Sequence, residues 1–447
     1  MTEFANAEPT KGFFLEMLTR DIALEDAVLD LVDNCVDSLA RTRELPLSES
    51  LLDPESVAKA VEKVKRDGLP HIDIKIDKDE FSINDNCGGI SYDDARDDVF
   101  RFGRVTQSER SRLSVYGIGL KRAVFKLGRD ITVESKTTSS GFRVEIDTDQ
   151  WAEDEDWQFP LERLTAARTK NSAGTAIVVR RLTDEVKLRL NDGQMMNRLH
   201  DFVGSAYALI LDRFVAVRIN DVRIKPKPIP LGGSPKVIPG RDRFNADGVT
   251  VTVIAGLAER IEGEWNIERA GWYVFCNGRV VVFADKTDLT GWGVNSAQFV
   301  SKYRGFVGLV FFFSKNPEAL PWTTTKRGLN RESHAYQLAK NRMAVLARPV
   351  IAFLNNMYAG EVEEPTERVV ANTLRASTLS KIIETSGRVF QAQTVPPRAR
   401  ASFTSIQYKV RCEDLDKAKK ALRKPAWSAS RVGQLTFEYF LDHECAK

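Results

Sequence analysis

The sequence predicts an α/β protein of two or three domains. Three observations carry this expectation. Helix and strand patterns alternate through residues 1–190 and again through 191–358. Strict alternation of apolar and polar residues, as in HIDIKID (71–77), marks half-buried strands, and the apolar run GFVGLVFFF (305–313) marks a buried one. At 447 residues with 43% hydrophobic content, the chain has ample sequence for a large core.

The first long element is ALEDAVLDLVDNCVDSLA (23–40). At 100° per residue it is an amphipathic helix, with Leu24, Val28, Leu31, Val32, Val36 and Leu39 on one side. The other side gathers Asp26, Asp30, Asp33, Asn34 and Asp37. Asp26 faces Asp30 and Asp33 faces Asp37 at the i,i+4 spacing where like charges repel. No Lys or Arg before Arg41 stands near enough along the chain to relieve them. A helix is expected at 55–66. The strands HIDIKID and EFSIND (80–85) form a hairpin around Lys78 and Asp79. A helix at 92–102, a polar stretch at 103–114, a Gly-led helix GIGLKRAVFKLG and three further strands complete residues 1–190.

The second domain, 191–358, opens with a helix at 194–211. Strands follow at 213–220, 249–256, 271–282 and 305–313, and a helix at 332–357 closes it. Residues 359–400 turn to Glu, Pro, Thr and Arg and read as a linker with one short helix near 373–386. Residues 401–447 read as a small strand-helix-helix unit, with SIQYKV (405–410) as its strand.

Composition narrows the function classes. A net charge of +3 is too close to neutral to argue for nucleic acid. The five cysteines form no CxxC, so neither a zinc site nor a redox dithiol is expected, and their odd count fits a reducing, cytoplasmic setting. No signal-peptide pattern opens the chain, and the longest apolar run is too short to span a bilayer, so no membrane is expected.

Three glycine motifs follow the acidic helix. INDNCGGIS (83–91) sets Asp85 at a strand end before a glycine turn. VYGIGLKRAVFKLG (115–128) sets Gly117 and Gly119 at a helix start, where free N–H groups with a nearby lysine suit phosphate. AGTAIVVRR (173–181) opens a strand with Gly174 and Thr175. Each alone is a common turn. In this order and spacing they resemble the GHKL superfamily of ATPases, which joins gyrase B, the heat-shock-ninety chaperones, sensor histidine kinases, MutL and the microrchidia ATPases. The likeness covers about residues 12–190 and is greatest to the microrchidia type.

The resemblance implies a Bergerat-type α/β sandwich, with ATP held between helices and a lid at 103–116. It implies that Asn34 coordinates Mg²⁺, with Asp30 and Asp37 beside it, so that the missing cation of the acidic helix arrives with the nucleotide. Asp85 would accept the adenine amino group. Gly89 matches the second glycine of the adenine motif, whose first is replaced by Cys87. Gly117, Gly119, Leu120 and Lys121 match the phosphate box, and Thr175 reaches adenine through water. The second domain resembles the S5-like transducer of several members, on the strand and turn YVFCNGRVV (273–281) and the loop LPWTTTKRGLNRES (320–333). Lys326 sits where their γ-phosphate lysine would be, with Arg327 as runner-up. It is expected to matter for turnover and not for folding.

Hydrolytic members carry a Glu four residues before the Mg²⁺-binding Asn. Here that place is Asp30, one methylene shorter. Either hydrolysis is slow or the helix rearranges to restore reach. Glu25 is a lesser candidate, since five residues from Asp30 it lies well around the helix from the site. The expected function is an ATP-driven switch that closes a homodimer and acts on DNA or a partner protein. A chaperone-like ATPase and a nucleotide-binding module with little turnover are the alternatives. A kinase is a further alternative, but a histidine kinase needs a phosphoacceptor helix with a His, and none of His71, His200, His334 and His443 precedes the ATPase region in such a helix. The tail resembles a ribbon-helix-helix unit, but a docking or dimerisation role is preferred. Lys409, Lys417, Lys419, Lys420, Arg423 and Lys424 would favour DNA there, and nearby acids oppose it.

Overall fold

The computed structural model of the chain describes residues 9–103, 113, 117–294, 296–358, 366–393 and 406–445. The expected lid therefore falls outside the described residues, apart from Gly103 and Leu113. The chain divides into two units, Met1–Val395 and Pro396–Lys447.

The first unit is a mixed α/β structure with two main sheets. The larger sheet contains β1 (His71–Ile76), β2 (Glu80–Asp85), β3 (Gly128–Lys136), β4 (Gly141–Asp147), β5 (Leu161–Leu164), β6 (Gly174–Leu182), β7 (Ala216–Ile219) and β8 (Val222–Arg223). Their order is β5-β4-β3-β6-β2-β1-β7-β8. All neighbours are antiparallel except β1 and β7. The alternation read from the sequence constrains the register. Ile74, Ile83, Ile177, Val133 and Val144 stand side by side across five strands, all buried. A slip of one residue in any strand would turn its apolar set outward, so the pattern excludes odd-numbered slips.

The helices of this half are α1 (Lys11–Thr19), α2 (Leu24–Arg43), α3 (Pro54–Asp67), α4 (Tyr92–Asp94), α5 (Gly119–Leu127), α6 (Thr148–Glu153), α7 (Asp184–Leu190) and α8 (Met195–Ala206). α2 lies along α5, and α5 packs on β3 and β6. The helix expected at 92–102 is only one turn, α4, followed by a π turn at Ala95–Val99. Asp93 with Asp97 and Asp94 with Asp98 are like-charged i,i+4 pairs, which work against a regular helix there.

Two short strands, β9 (Gly232–Gly233) and β10 (Val237–Ile238), precede the second sheet. That sheet contains β11 (Gly240–Ala246), β12 (Val249–Leu257), β13 (Gly271–Cys276), β14 (Arg279–Asp285) and β15 (Phe306–Phe313), in the order β11-β12-β15-β13-β14. Every residue of β13 and β15 is buried, as continuous apolar runs require. The β13–β14 turn is Asn277-Gly278 with φ of 46° and 85°, a hairpin that only such a pair makes at little cost. The long α9 (His334–Met357) covers β11, β12 and β15.

Three more stretches differ from expectation. The single strand expected at 271–282 is the β13–β14 hairpin. The strand placed at 213–220 in the second domain is β7, which pairs with β1 of the first sheet and covers its edge. The stretch read as a linker carries α10 (Thr366–Ala371), β16 (Arg375–Ala376), α11 (Leu379–Thr385) and β17 (Gln391–Ala392). β16 pairs with β9 and β17 with β10, while Val370, Leu374, Ile382 and Phe390 are buried. These apolar residues sit among the polar ones at a spacing that composition alone hides.

The second unit contains α12 (Cys412–Ala421) and α13 (Ala429–Phe440). Residues 406–410, expected as a strand, adopt no regular element. Among the described residues of this unit, no other segment offers the N–H and C=O partners that a strand needs.

Candidate active site

The acidic face of α2 is buried, and each acid meets a cation or donor from elsewhere in the first unit. Arg189 forks onto Glu25 at 2.9 and 3.0 Å. Arg327 pairs with Asp26 at 2.5 Å. Arg122 Nε donates to Asp30 Oδ2 at 2.6 Å. Asp33, wholly buried, takes Arg279, Lys326 Nζ at 2.6 Å and the Tyr207 hydroxyl at 2.7 Å. Asp37 accepts the Leu113 N–H at 2.8 Å, which ties part of the expected lid to α2. The cations that the helix lacks locally are thus supplied by the fold itself. Buried carboxylates are tolerated only when paired in this way.

One cavity opens between α2, the end of β2, the start of α5, β6 and the loop after β15. It is lined by Asp30, Asn34 and Asp37 of α2, Asp85 of β2, Gly117, Gly119 and Leu120 around the start of α5, Thr175 of β6, and Lys326. Two expected residues do not line it. Gly89 lies behind the wall, where its carbonyl accepts the Ser38 hydroxyl at 3.2 Å. Its φ is +71°, and a Cβ there would stand 2.3 Å from the Lys136 carbonyl oxygen, so the turn demands glycine. The Lys121 ammonium donates to the carbonyls of Val99 and Arg101, each at 2.7 Å, and to that of Gly117. It closes the chain ahead of the α5 start and does not line the cavity.

At the far end of the cavity Asp85 is nearly enclosed. Its Oδ1 accepts the Cys87 N–H at 2.7 Å and its Oδ2 the Cys35 thiol at 3.3 Å. Burial pushes its carboxyl above the usual range, partly offset by those donors and the Thr175 N–H. Cys87 is fully buried and does not line the cavity, whereas Cys35 does. Burial lifts both thiols well above the ordinary value. Gly174 passes so close that a Cβ on it would stand 1.8 Å from the Asp85 carbonyl oxygen. Thr175 Oγ1 lies 2.8 Å from Ser135 Oγ.

At the near end Lys326 has a left-handed backbone, φ 55°, rare for a lysine, in a turn closed by its N–H on the Thr323 carbonyl at 2.9 Å. This turn aims its ammonium at α2, 2.6 Å from Asp33 and 3.5 Å from Asp30. Burial raises the Asp30 carboxyl, but Lys326 and Arg122 more than offset it and hold it below the usual range.

This pairing of an enclosed carboxylate with a glycine-led helix start falls within a recognised family region. Residues 22–176 match the family model described as "Histidine kinase-, DNA gyrase B-, and HSP90-like ATPase". This region is a GHKL-type ATPase domain. No curated protein matches the chain. The GHKL-type domain brings ATP binding with it. Among the described residues no helix is long and apolar enough to cross a membrane, and no cluster of three or more His, Cys, Asp or Glu side chains is arranged to hold a metal ion. The Asn34 amide and the Asp94 and Asp98 carboxylates line the cavity and carry oxygen donors of the kind a hard cation prefers.

The motifs did not reveal Arg122, Arg279 or Tyr207. Each meets α2 only through the fold, and no local spacing marks it.

Proposed function

We propose that the chain is a Mg²⁺-dependent ATPase in which ATP closes a homodimer that acts on DNA or on a partner protein. The observation that carries this reading is that Lys326, from the loop after β15, enters the cavity that also holds Asp30, Asn34, Asp85, Gly117 and Gly119. A lysine that reaches this cavity from the loop after the second sheet's last strand supports the reading of an S5-like, microrchidia-like transducer.

In this reading Asp85 accepts the adenine amino group, and Thr175 holds a water beside it. The backbone around Gly117 and Gly119 offers N–H groups to the phosphates. Asn34 holds Mg²⁺, which when bound neutralises phosphate charge. Asp30 takes a proton from water as the water oxygen bonds to the γ-phosphorus and the bond to the ADP oxygen breaks. Lys326 stabilises the charge that builds on the transferred group. The γ-phosphate competes with Asp33 for that ammonium, so nucleotide state is felt by the second sheet. The five cysteines, all free, support a reducing, cytoplasmic setting.

A nucleotide-binding module with little turnover is the second reading. It is favoured because both Asp30 oxygens already face cations. One experiment separates the two: turnover and calorimetry on wild type and Asp30→Asn, with sizing in a non-hydrolysable ATP analogue, with and without DNA. The switch reading expects slow hydrolysis in wild type. It also expects Asp30→Asn to bind without hydrolysing, and a dimer to form only with the analogue. Binding without turnover or dimer would establish the module. Turnover stimulated by DNA would identify DNA as the target.

A further inference from the structure

Asp30 is held on three sides. Arg122 Nε donates to Oδ2 at 2.6 Å, Lys326 faces Oδ1 at 3.5 Å, and Gly119 packs so close that a Cβ on it would lie 3.5 Å from the carboxyl carbon. α2 runs unbroken from Leu24 to Arg43, so no local rearrangement lengthens the reach of the shorter acid. Arg122 does more than pair. Its Nη2 donates to the Thr324 carbonyl at 3.0 Å, two residues before Lys326. Arg122, Asp30, Thr324 and Lys326 all line the cavity, and the Arg122 side chain is only 7% exposed. A guanidinium can hold a carboxylate with one nitrogen and a carbonyl with another in a fixed plane, which an ammonium cannot.

We propose that Arg122 is a positioning residue for hydrolysis: it orients the Asp30 carboxylate and ties it to the Lys326 loop through Thr324, so that base and lysine are set as one unit. This rests on the reading of Asp30 as the base. The device suits an acid one methylene short, because a rigid partner fixes where its oxygens point. It also explains how a loop of the second sheet and a helix of the first keep a common geometry without a covalent link.

The groups facing Asp30 are Arg122 from α5, Lys326 from the loop, and more distantly Arg279 of β14, Tyr207 after α8, and Asp26 on its own helix. With Arg122 removed, a cation that favours the ionised carboxyl is lost. Asp30 then protonates at higher pH, and the acid limb of the rate profile moves up.

The test uses the full chain as wild type, Arg122→Ala and Arg122→Lys, with circular dichroism to check folding. Calorimetry gives Mg·ATP affinity, and steady-state kinetics give kcat and KM against pH. In Arg122→Ala we expect kcat to fall by about 10- to 100-fold with affinity changed by no more than about threefold, and the acid limb to shift upward. Arg122→Lys returns the acid limb toward wild type without restoring kcat, because charge is kept and the two-pronged hold is lost. A role in packing alone would lower the melting temperature and leave the acid limb in place. A folded Arg122→Ala protein with wild-type kcat and acid limb overturns the proposal. If that variant does not fold, wild-type kcat in Arg122→Lys overturns it. Should Asp30→Asn hydrolyse normally, or wild type bind ATP without turnover, the reading of Asp30 fails and this proposal with it. An inactive Asp30→Asn beside an unaffected Arg122→Ala removes this proposal alone.

Discussion

Asp85 is an acceptor with little room to move, since the Cys87 N–H and the Cys35 thiol fix its two oxygens. Asp85→Asn replaces one acceptor with a donor at the adenine end. ATP affinity should fall by about 1.5–3 kcal/mol, the range for a hydrogen bond to a charged group, as read by calorimetry on a folded protein. Unchanged affinity would remove Asp85 from the site. Lys326 needs a revised expectation. The sequence alone suggested a loop lysine whose loss would leave stability unchanged. In the structure it is 7% exposed and bonded to a wholly buried carboxylate. Lys326→Ala should therefore slow turnover and also cost about 1–3 kcal/mol of stability, since Asp33 keeps Arg279 and Tyr207. A denaturant titration with an unchanged midpoint would contradict this. Arg327→Ala should affect turnover less, because its guanidinium pairs with Asp26 and lies 4.3 Å over the Phe202 ring.

Between elements, the β13–β14 hairpin acts as a strut onto α2. Its turn is buried against the segment after α2, where a Cβ on Gly278 would stand 2.8 Å from Leu51. This places Arg279, 1% exposed, on Asp33. Removing one partner of a buried ion pair leaves an uncompensated charge. Arg279→Ala should destabilise the chain by about 3 kcal/mol, measured as a shift of the urea midpoint, and should weaken ATP binding less than Asp85→Asn does. A loss under about 0.5 kcal/mol, typical of a surface change, would show that the strut carries no load. The turn at Asn277-Gly278 was legible beforehand, although 271–282 was read as one strand where two form. Its contact with α2 was not. Nor was the membership of β7 in the first sheet, because an alternating strand shows which faces it presents but not which edge it joins.

For the molecule as a whole, accessibility divides the cysteines. Cys35, Cys87 and Cys276 are buried, and burial raises each thiol. Cys412 and Cys445 of the second unit are exposed. A thiol reagent should therefore modify two groups quickly in the native chain and five after denaturation. Saturating ATP should leave the fast pair untouched. A third fast thiol in the native protein would mean that the cavity beside Cys35 is open to the reagent.

The sequence by itself determined the α/β class, the inward face of each alternating strand and the motifs, because these follow from spacings of two and 3.6 residues and from backbone demands that only glycine meets. Gly89 and Gly174 are legible as glycines for that reason: each stands where a Cβ would strike a carbonyl oxygen. Asp30, Asn34, Asp37, Asp85, Gly117, Gly119 and Thr175 were found by their order along the chain, and one cavity collects them. Only the tertiary structure decided what balances the acids of α2. Read as a helix alone, those acids look either solvated or in want of a bound cation. Folding brings Arg122, Arg279 and Lys326 to them across 92, 246 and 293 residues of chain. The tertiary structure likewise shows what its motif did not: the Lys121 ammonium bonds the carbonyls of Val99, Arg101 and Gly117. Charge pairing over such separations leaves no periodic trace, because the partners are chosen by the packing of sheets and helices and not by their places in the sequence.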